Sequence, residues 1–216
     1  MRKTKAILFD MDGVLVDARD LHYEALNAAL APFGMPISRD AHLTTFDGLS
    51  TRQKLVILSE TLGLPAGLHG LIHDLKQQQT YAKISLHCRP VFRHRYMLSR
   101  LRQEGYRLAM CSNSVRASVD AMSRYTGIAE FFEFMLSNED VARAKPAPDI
   151  YLEAVRRMGL APEECLAVED NANGIASARS AGLEVLVVAD PEDVHYTRVK
   201  ERLDERQHAN SGEMFR

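Results

Sequence analysis

Five short apolar runs punctuate the chain: Ile7-Leu8-Phe9, Arg107–Cys111, Glu133–Leu136, Cys165–Val168 and Glu184–Val188. Runs this short, bounded by polar residues or glycine, read as buried strands of a parallel sheet. Between them apolar positions recur at helical spacing. Helices are expected around Tyr96–Glu104 with a stop at Gly105, over Arg116–Tyr125, from Pro146-Ala147-Pro148-Asp149 to Met158, and over Ala172–Ala181 with Gly182 as its cap. From Pro191 the chain turns polar and reads as a terminal helix with a frayed end.

One stretch breaks the alternation. From about Arg19 to His87 no strand pattern appears. Leu21, Ala25, Ala28 and Ala29 recur at helical spacing and run to Phe33, with a stop at Gly34-Met35-Pro36. Leu55, Leu58 and Leu62 repeat the pattern before Gly63-Leu64-Pro65, and Leu68, Leu71, Ile72 and Leu75 repeat it again. The expected architecture is therefore an α/β fold: a Rossmann-like parallel sheet core formed by residues 1–16 and 88–216, with an inserted all-helical cap at 17–87.

Composition narrows the class. The 216 residues are 46% hydrophobic and 26% charged, which suits a globular chain, and the net charge of −2 speaks against a partner held by a broad basic face, so no nucleic acid is expected. The basic start Met1-Arg2-Lys3-Thr4-Lys5 leads into too few apolar residues for a signal peptide, and no run is long enough to span a membrane. Cys88, Cys111 and Cys165 are odd in number and far apart, form no zinc-type pair, and read as reduced thiols of a cytoplasmic protein, with Cys111 and Cys165 buried in strands.

The chemistry gathers at strand ends, where open α/β sheets bind their ligands. Ile7-Leu8-Phe9 runs into Asp10-Met11-Asp12-Gly13. Alternation puts Asp10 and Asp12 on one face with Met11 turned away, and two carboxylates this close call for a divalent cation or a shared proton. The second strand ends in Ser112-Asn113-Ser114 at the start of a helix, a ready anion site. Glu169-Asp170-Asn171 follows Leu166-Ala167-Val168, and paired acids there suit metal ligands. Lys145, in Ala144-Lys145-Pro146, is kept out of helix by the following proline, and its ammonium would offset the acids and a bound phosphate.

Asp10-Met11-Asp12-Gly13-Val14, Ser112-Asn113, Lys145-Pro146 and Glu169-Asp170, in that order and spread over nearly the whole chain, resemble the four motifs of the haloacid dehalogenase-like (HAD) hydrolase superfamily. The helical insert resembles the small cap of the branch that holds phosphoglycolate phosphatases, sugar-phosphate phosphatases and β-phosphoglucomutases. The resemblance implies that Asp10 is the nucleophile and forms an aspartyl-phosphate, and that Asp12 is the general acid and base. It implies Mg²⁺ held by the Asp10 carboxylate, the Asp12 carbonyl and Asp170, with Glu169 as ligand or support. Ser112 and Lys145 would bind phosphoryl oxygens, with Asn113 supporting them. An acid at position 12 disfavours the carbon–halogen-cleaving members.

The cap carries weaker signals. His22 lies where related mutases and sugar phosphatases carry a cap histidine. Phe46-Asp47-Gly48-Leu49-Ser50-Thr51-Arg52 resembles the family's cap loop, which brings Gly48, Ser50 and Arg52 forward as substrate-side residues. Lys76 falls near a cap lysine of the mutases, but about one residue out of register. His69 and His73 sit four apart without a third ligand and read as a solvated face. Ala18 replaces a frequent hinge hydroxyl, and Arg89-Pro90-Val91-Phe92 lacks the usual Pro-Gly return. The expectation is a Mg²⁺-dependent phosphomonoesterase acting on a small phosphorylated metabolite, a sugar or polyol phosphate, as a monomer or weak homo-oligomer. A sugar phosphomutase is the enzymatic alternative, and a phospho-accepting switch the distant one.

Overall fold

The computed structural model describes the backbone of residues 4–212 and side chains through His208, so the basic Met1-Arg2-Lys3 and the expected frayed end past Gly212 lie outside the described residues. In chain order the elements are β1 (Ala6–Phe9), α1 (Arg19–Leu30), a single turn α2 (Arg39–Ala41), α3 (Thr51–Leu62), α4 (His69–His87), α5 (Phe92–Gln103), β2 (Arg107–Cys111), α6 (Arg116–Tyr125), β3 (Phe134–Leu136), α7 (Asp149–Met158), β4 (Cys165–Glu169), α8 (Ala172–Ser180), β5 (Glu184–Val187) and α9 (Tyr196–Gly212). A wide turn, His42–Phe46, follows α2.

The five strands form one parallel sheet in the order β3-β2-β1-β4-β5. Side-chain alternation divides them between two apolar layers. Ile7, Phe9, Leu108, Met110, Leu166 and Val168 point to one, which also receives Val119, Met97 and Leu203 from α6, α5 and α9. Ala6, Leu8, Ala109, Cys111, Cys165 and Ala167 point to the other, against Ile150, Tyr151 and Ala154 of α7 and Ala178 of α8. All three cysteines are free and buried. The helical segment packs its own cluster, Leu26, Leu30, Phe46, Leu55, Leu58 and Ile72. Among the described residues no helix is long and apolar enough to cross a membrane.

The elements match the apolar pattern with one shift of consequence. The helix expected around Tyr96 starts at Phe92, and His94 in its first turn is buried and hydrogen-bonded through Nε2 to the Pro191 carbonyl at 2.9 Å. His69 and His73 are half-buried rather than a solvated face, and His69 Nε2 lies 2.7 Å from Ser59 Oγ.

Candidate active site

β1 is central, so its end sits between the ends of two neighbours. Phe9 pairs with Met110 of β2 and with Val168 of β4, which sets Asp10 beside Cys111 and Glu169. Lys145 comes in from the loop before α7 and ties all three together. Its Nζ lies 2.7 Å from Asp10 Oδ1, 2.6 Å from Glu169 Oε1 and 2.7 Å from the Cys111 carbonyl. Both Lys145 and Asp10 are almost wholly buried. Burial opposes the lysine's charge, but the two carboxylates outweigh it and hold the ammonium above the ordinary lysine range. For Asp10, burial pushes the carboxyl well up, and Glu169, Asp170 and Asp12 add to it against the pull of Lys145.

Carboxylate oxygens of Asp10, Glu169 and Asp170 lie within 4.8 Å of one another. Three acids face one ammonium, and burial lifts Asp170 to about 6. Glu169 Oε1 is taken by Lys145 and by the Tyr151 hydroxyl, whereas Oε2 is buried with no partner. Two glycines make room for this cluster. A Cβ on Gly13, whose φ is +84°, would lie 2.0 Å from Asp170 Oδ2, and one on Gly174 would lie 2.0 Å from Glu169 Oε2. An orphaned carboxylate oxygen in an all-oxygen donor set fits Mg²⁺.

Asp12 has a different environment. Its Oδ2 accepts from the Ser114 hydroxyl at 2.7 Å and lies 3.2 Å from His22 Nε2. Burial works to raise this carboxyl, but His22, Ser114 and Lys76 together hold it below the usual carboxylate range. Burial, with Lys76 beside it, pushes His22 down in turn. Neighbouring acids are thus pushed apart, Asp10 up and Asp12 down, which is the arrangement that separates two chemical roles.

The helical segment closes over this mouth. Asn113 Nδ2 donates to the Gly48 carbonyl at 2.9 Å and to the Lys145 carbonyl at 3.2 Å, and Arg19 Nε lies 3.2 Å from Asp47. Asp10, Asp12, Asp170, Lys145 and Asn113 line one cavity with His22, Gly48, Lys54 and Lys76. Lys76 faces it despite its doubtful register, with Nζ 3.3 Å from His22 Nδ1.

Three expected residues stand elsewhere. Ser112 is fully buried and does not line the cavity; its hydroxyl accepts from the Ser114 N–H at 3.0 Å, and Ser114 is the hydroxyl that faces inward. Ser50 is the N-cap of α3, held in a capping box with Gln53. That cap starts the helix at Thr51 and turns Thr51, Lys54, Leu55 and Leu58 inward. Arg52, one residue on from Thr51 and about 100° round the helix, is exposed and outside the cavity. Lys54 takes its place. Sequence reading named Ser114 only as part of the Ser112-Asn113-Ser114 motif, and it named neither Lys54 nor Tyr151. For Lys54 a signal existed, a lysine on the apolar face of a helical repeat.

A buried acid cluster at the mouth of a central parallel strand, under a helical insert, is the arrangement of an α/β protein that binds its ligand at its strand ends. The family profile described as haloacid dehalogenase-like hydrolase matches residues 4–182, and the chain belongs to that family. It is 32% identical over 194 residues to protein CbbY of Rhodobacter capsulatus, covering 85% of this chain and 84% of that one. It is 29% identical over 183 residues to a phosphorylated carbohydrates phosphatase of Thermotoga maritima, covering 83% and 82%. The crystal structure of CbbY from Rhodobacter sphaeroides in complex with phosphate superposes with a TM-score of 0.77 at 29% identity, over 85% of each chain. Fold, site and relatives together make this chain a HAD-like phosphatase, a phosphoric monoester hydrolase.

Proposed function

We propose that the protein is a Mg²⁺-dependent phosphatase of a small sugar or polyol phosphate that works through a phosphorylated Asp10. The observation that carries this reading is the split environment of Asp10 and Asp12. Asp10 sits in the acid cluster with Lys145, at the mouth of the central strand. Asp12, two residues on, is paired with His22 and Ser114 and faces the cap. The relatives support the substrate class, since one is named for phosphorylated carbohydrates and a structure of Rhodobacter sphaeroides CbbY holds xylulose-(1,5)bisphosphate.

Asp10 attacks phosphorus, the bond from phosphorus to the ester oxygen breaks, and the departing oxygen takes a proton from Asp12. The free-state Asp12 is ionised, so that proton enters with the phosphomonoester monoanion. Water then attacks the phosphoryl group on Asp10, Asp12 Oδ2 accepts its proton, and phosphate leaves with Asp10 restored. Lys145, whose three N–H donors go to Asp10, Glu169 and the Cys111 carbonyl, holds the charge of Asp10 and sets a positive charge beside the phosphoryl group. Asp10, Glu169 and Asp170, with the Asp12 carbonyl, would hold Mg²⁺, which would neutralise phosphoryl charge. Residues 17–87 act as a cap that excludes bulk water, with residues 1–16 and 88–216 as the core.

The test is phosphate release from a panel of small phosphomonoesters with Mg²⁺, with EDTA and Asp10→Asn as controls. Metal-dependent turnover that Asp10→Asn abolishes supports the reading. Near-normal activity in Asp10→Asn overturns it, and phosphoryl transfer between sugars without phosphate release points to a mutase.

A further inference from the structure

One ion pair joins the cap to the acid cluster. Arg19 is the first residue of α1, where the chain leaves the core for the helical insert. Its Nε lies 3.2 Å from Asp47 Oδ2, in the loop before α3, and its guanidinium reaches Asp170 Oδ2 at 3.4 Å. Among the described residues it is the one cation within 4.0 Å of either acid. Lys145, the other cation of the cluster, is committed to Asp10 and Glu169.

Arg19 is not placed to serve its own helix. A cation in the first turn works against the helix dipole, and the N-cap before it, Ala18, has no side-chain oxygen to offset that. The two acids account for the position. Without the guanidinium between them, Asp47 and Asp170 would face each other as like charges across the boundary of cap and core. The loop that carries Asp47 lies close on the core. A Cβ on Gly48 would stand 2.5 Å from Asn171 Oδ1, and the Gly48 carbonyl accepts from Asn113 Nδ2. Both oxygens of Asp170 have partners, Oδ1 in Asn171 Nδ2 at 2.9 Å and Oδ2 in Arg19. These partners differ in one respect. The Asn171 amide is neutral and orients the carboxylate, whereas Arg19 brings a positive charge to a group that would also hold a dication.

We propose that Arg19 is a positioning residue that links metal loading to the cap: its guanidinium clamps Asp47 to Asp170, and a divalent cation on Asp170 loosens that clamp. The linkage is reciprocal. The clamp lowers the affinity of the acid cluster for Mg²⁺ by the same factor by which Mg²⁺ weakens the clamp. Loading the metal and freeing the cap loop to admit substrate are therefore one linked event. This rests on the Mg²⁺ reading of Asp10, Glu169 and Asp170, and on nothing about turnover or the identity of the substrate.

The experiment has two readouts, both without substrate. Mg²⁺ is titrated calorimetrically into the native protein, Arg19→Met and Arg19→Lys. Hydrogen exchange of residues 47–50 is followed with and without Mg²⁺ in the same proteins and in Asp47→Asn. Arg19→Met removes the opposing charge and leaves Asp47 unmatched, so it should bind Mg²⁺ about 10-fold more tightly than the native protein. Arg19→Lys keeps the charge and should stay near the native affinity, although a point charge bridges two acids less well than a guanidinium fork. Saturating Mg²⁺ should speed exchange of residues 47–50 in the native protein. In Arg19→Met and Asp47→Asn that exchange should be fast with or without the ion. The clamp would be overturned, with the metal reading left standing, by any of three results: Arg19→Met binding Mg²⁺ no more tightly than the native protein, Arg19→Lys binding as tightly as Arg19→Met, or Mg²⁺ failing to speed native exchange. No Mg²⁺ binding in any of the three titrated proteins would sink the metal reading and the clamp with it.

Discussion

Lys145 Nζ and Asp10 Oδ1 meet at 2.7 Å across 135 positions of sequence, both almost wholly buried. The same ammonium reaches Glu169 Oε1, so one buried cation serves both Asp10 and Glu169, while Arg19 lies 3.4 Å from the third acid, Asp170. Removing Lys145 leaves buried carboxylates without their counter-charge. Lys145→Met is expected to cost about 3–5 kcal/mol of stability. Denaturant unfolding at pH 7 checks this, and added Mg²⁺ should recover part of the loss by neutralising the same acids.

Tyr151 is buried behind the cluster and donates its hydroxyl to Glu169 Oε1, the oxygen Lys145 also holds. Oε2 is thereby the oxygen left for a cation. Tyr151→Phe should weaken Mg²⁺ binding by about 10- to 100-fold, the usual effect of losing such a supporting group. Calorimetric titration with Mg²⁺ reads it directly. An unchanged affinity would mean that Lys145 alone orients Glu169.

In the proposed mechanism the first step needs Asp12 only where the leaving oxygen is basic, whereas water attack on phospho-Asp10 needs it with every substrate. Asp12→Asn should lower kcat on an alkyl phosphate by about 10²- to 10⁴-fold. On p-nitrophenyl phosphate, whose leaving group departs without a proton, the loss in the first step should be far smaller. Burst kinetics with that substrate would show phospho-Asp10 accumulating, because water attack still lacks its base. Equal losses on both substrates and no burst would count against the assignment.

His42 is 1% exposed, packs against Tyr23, and has no hydrogen bond of normal geometry at either ring nitrogen. Burial, with Lys54 nearby, lowers it from 6.5 to about 4. Neutral His42 is therefore the folded form. The stability it carries is complete above pH 6.5 and is lost as pH falls through that value toward 4, up to about 3 kcal/mol in all. His42→Phe should flatten the fall in melting temperature between pH 7 and pH 5. A fall as steep as the native one would place the acid sensitivity elsewhere.

The strands and the chemistry at their ends are readable in the chain because both are local. Short apolar runs specify β1, β2, β4 and β5, and polar residues stand at the points where three of them stop. The helical insert is equally local, since its apolar spacing belongs to each helix separately. Those features need no knowledge of which strand lies beside which.

Sheet order decided the rest. Only because β1 lies between β2 and β4 do Asp10, Cys111 and Glu169 come side by side for Lys145 to bind. The α3 cap at Ser50 set the phase of the helix, turning Lys54 in and Arg52 out, and a loop motif alone carries no such phase. Lys54 and Lys76 converge because α3 and α4 pack together over the core. Pattern along a chain tells which face of an element is buried. Which buried polar groups meet depends on contacts between elements far apart in sequence, and these exist only once the sheet and its cap have assembled.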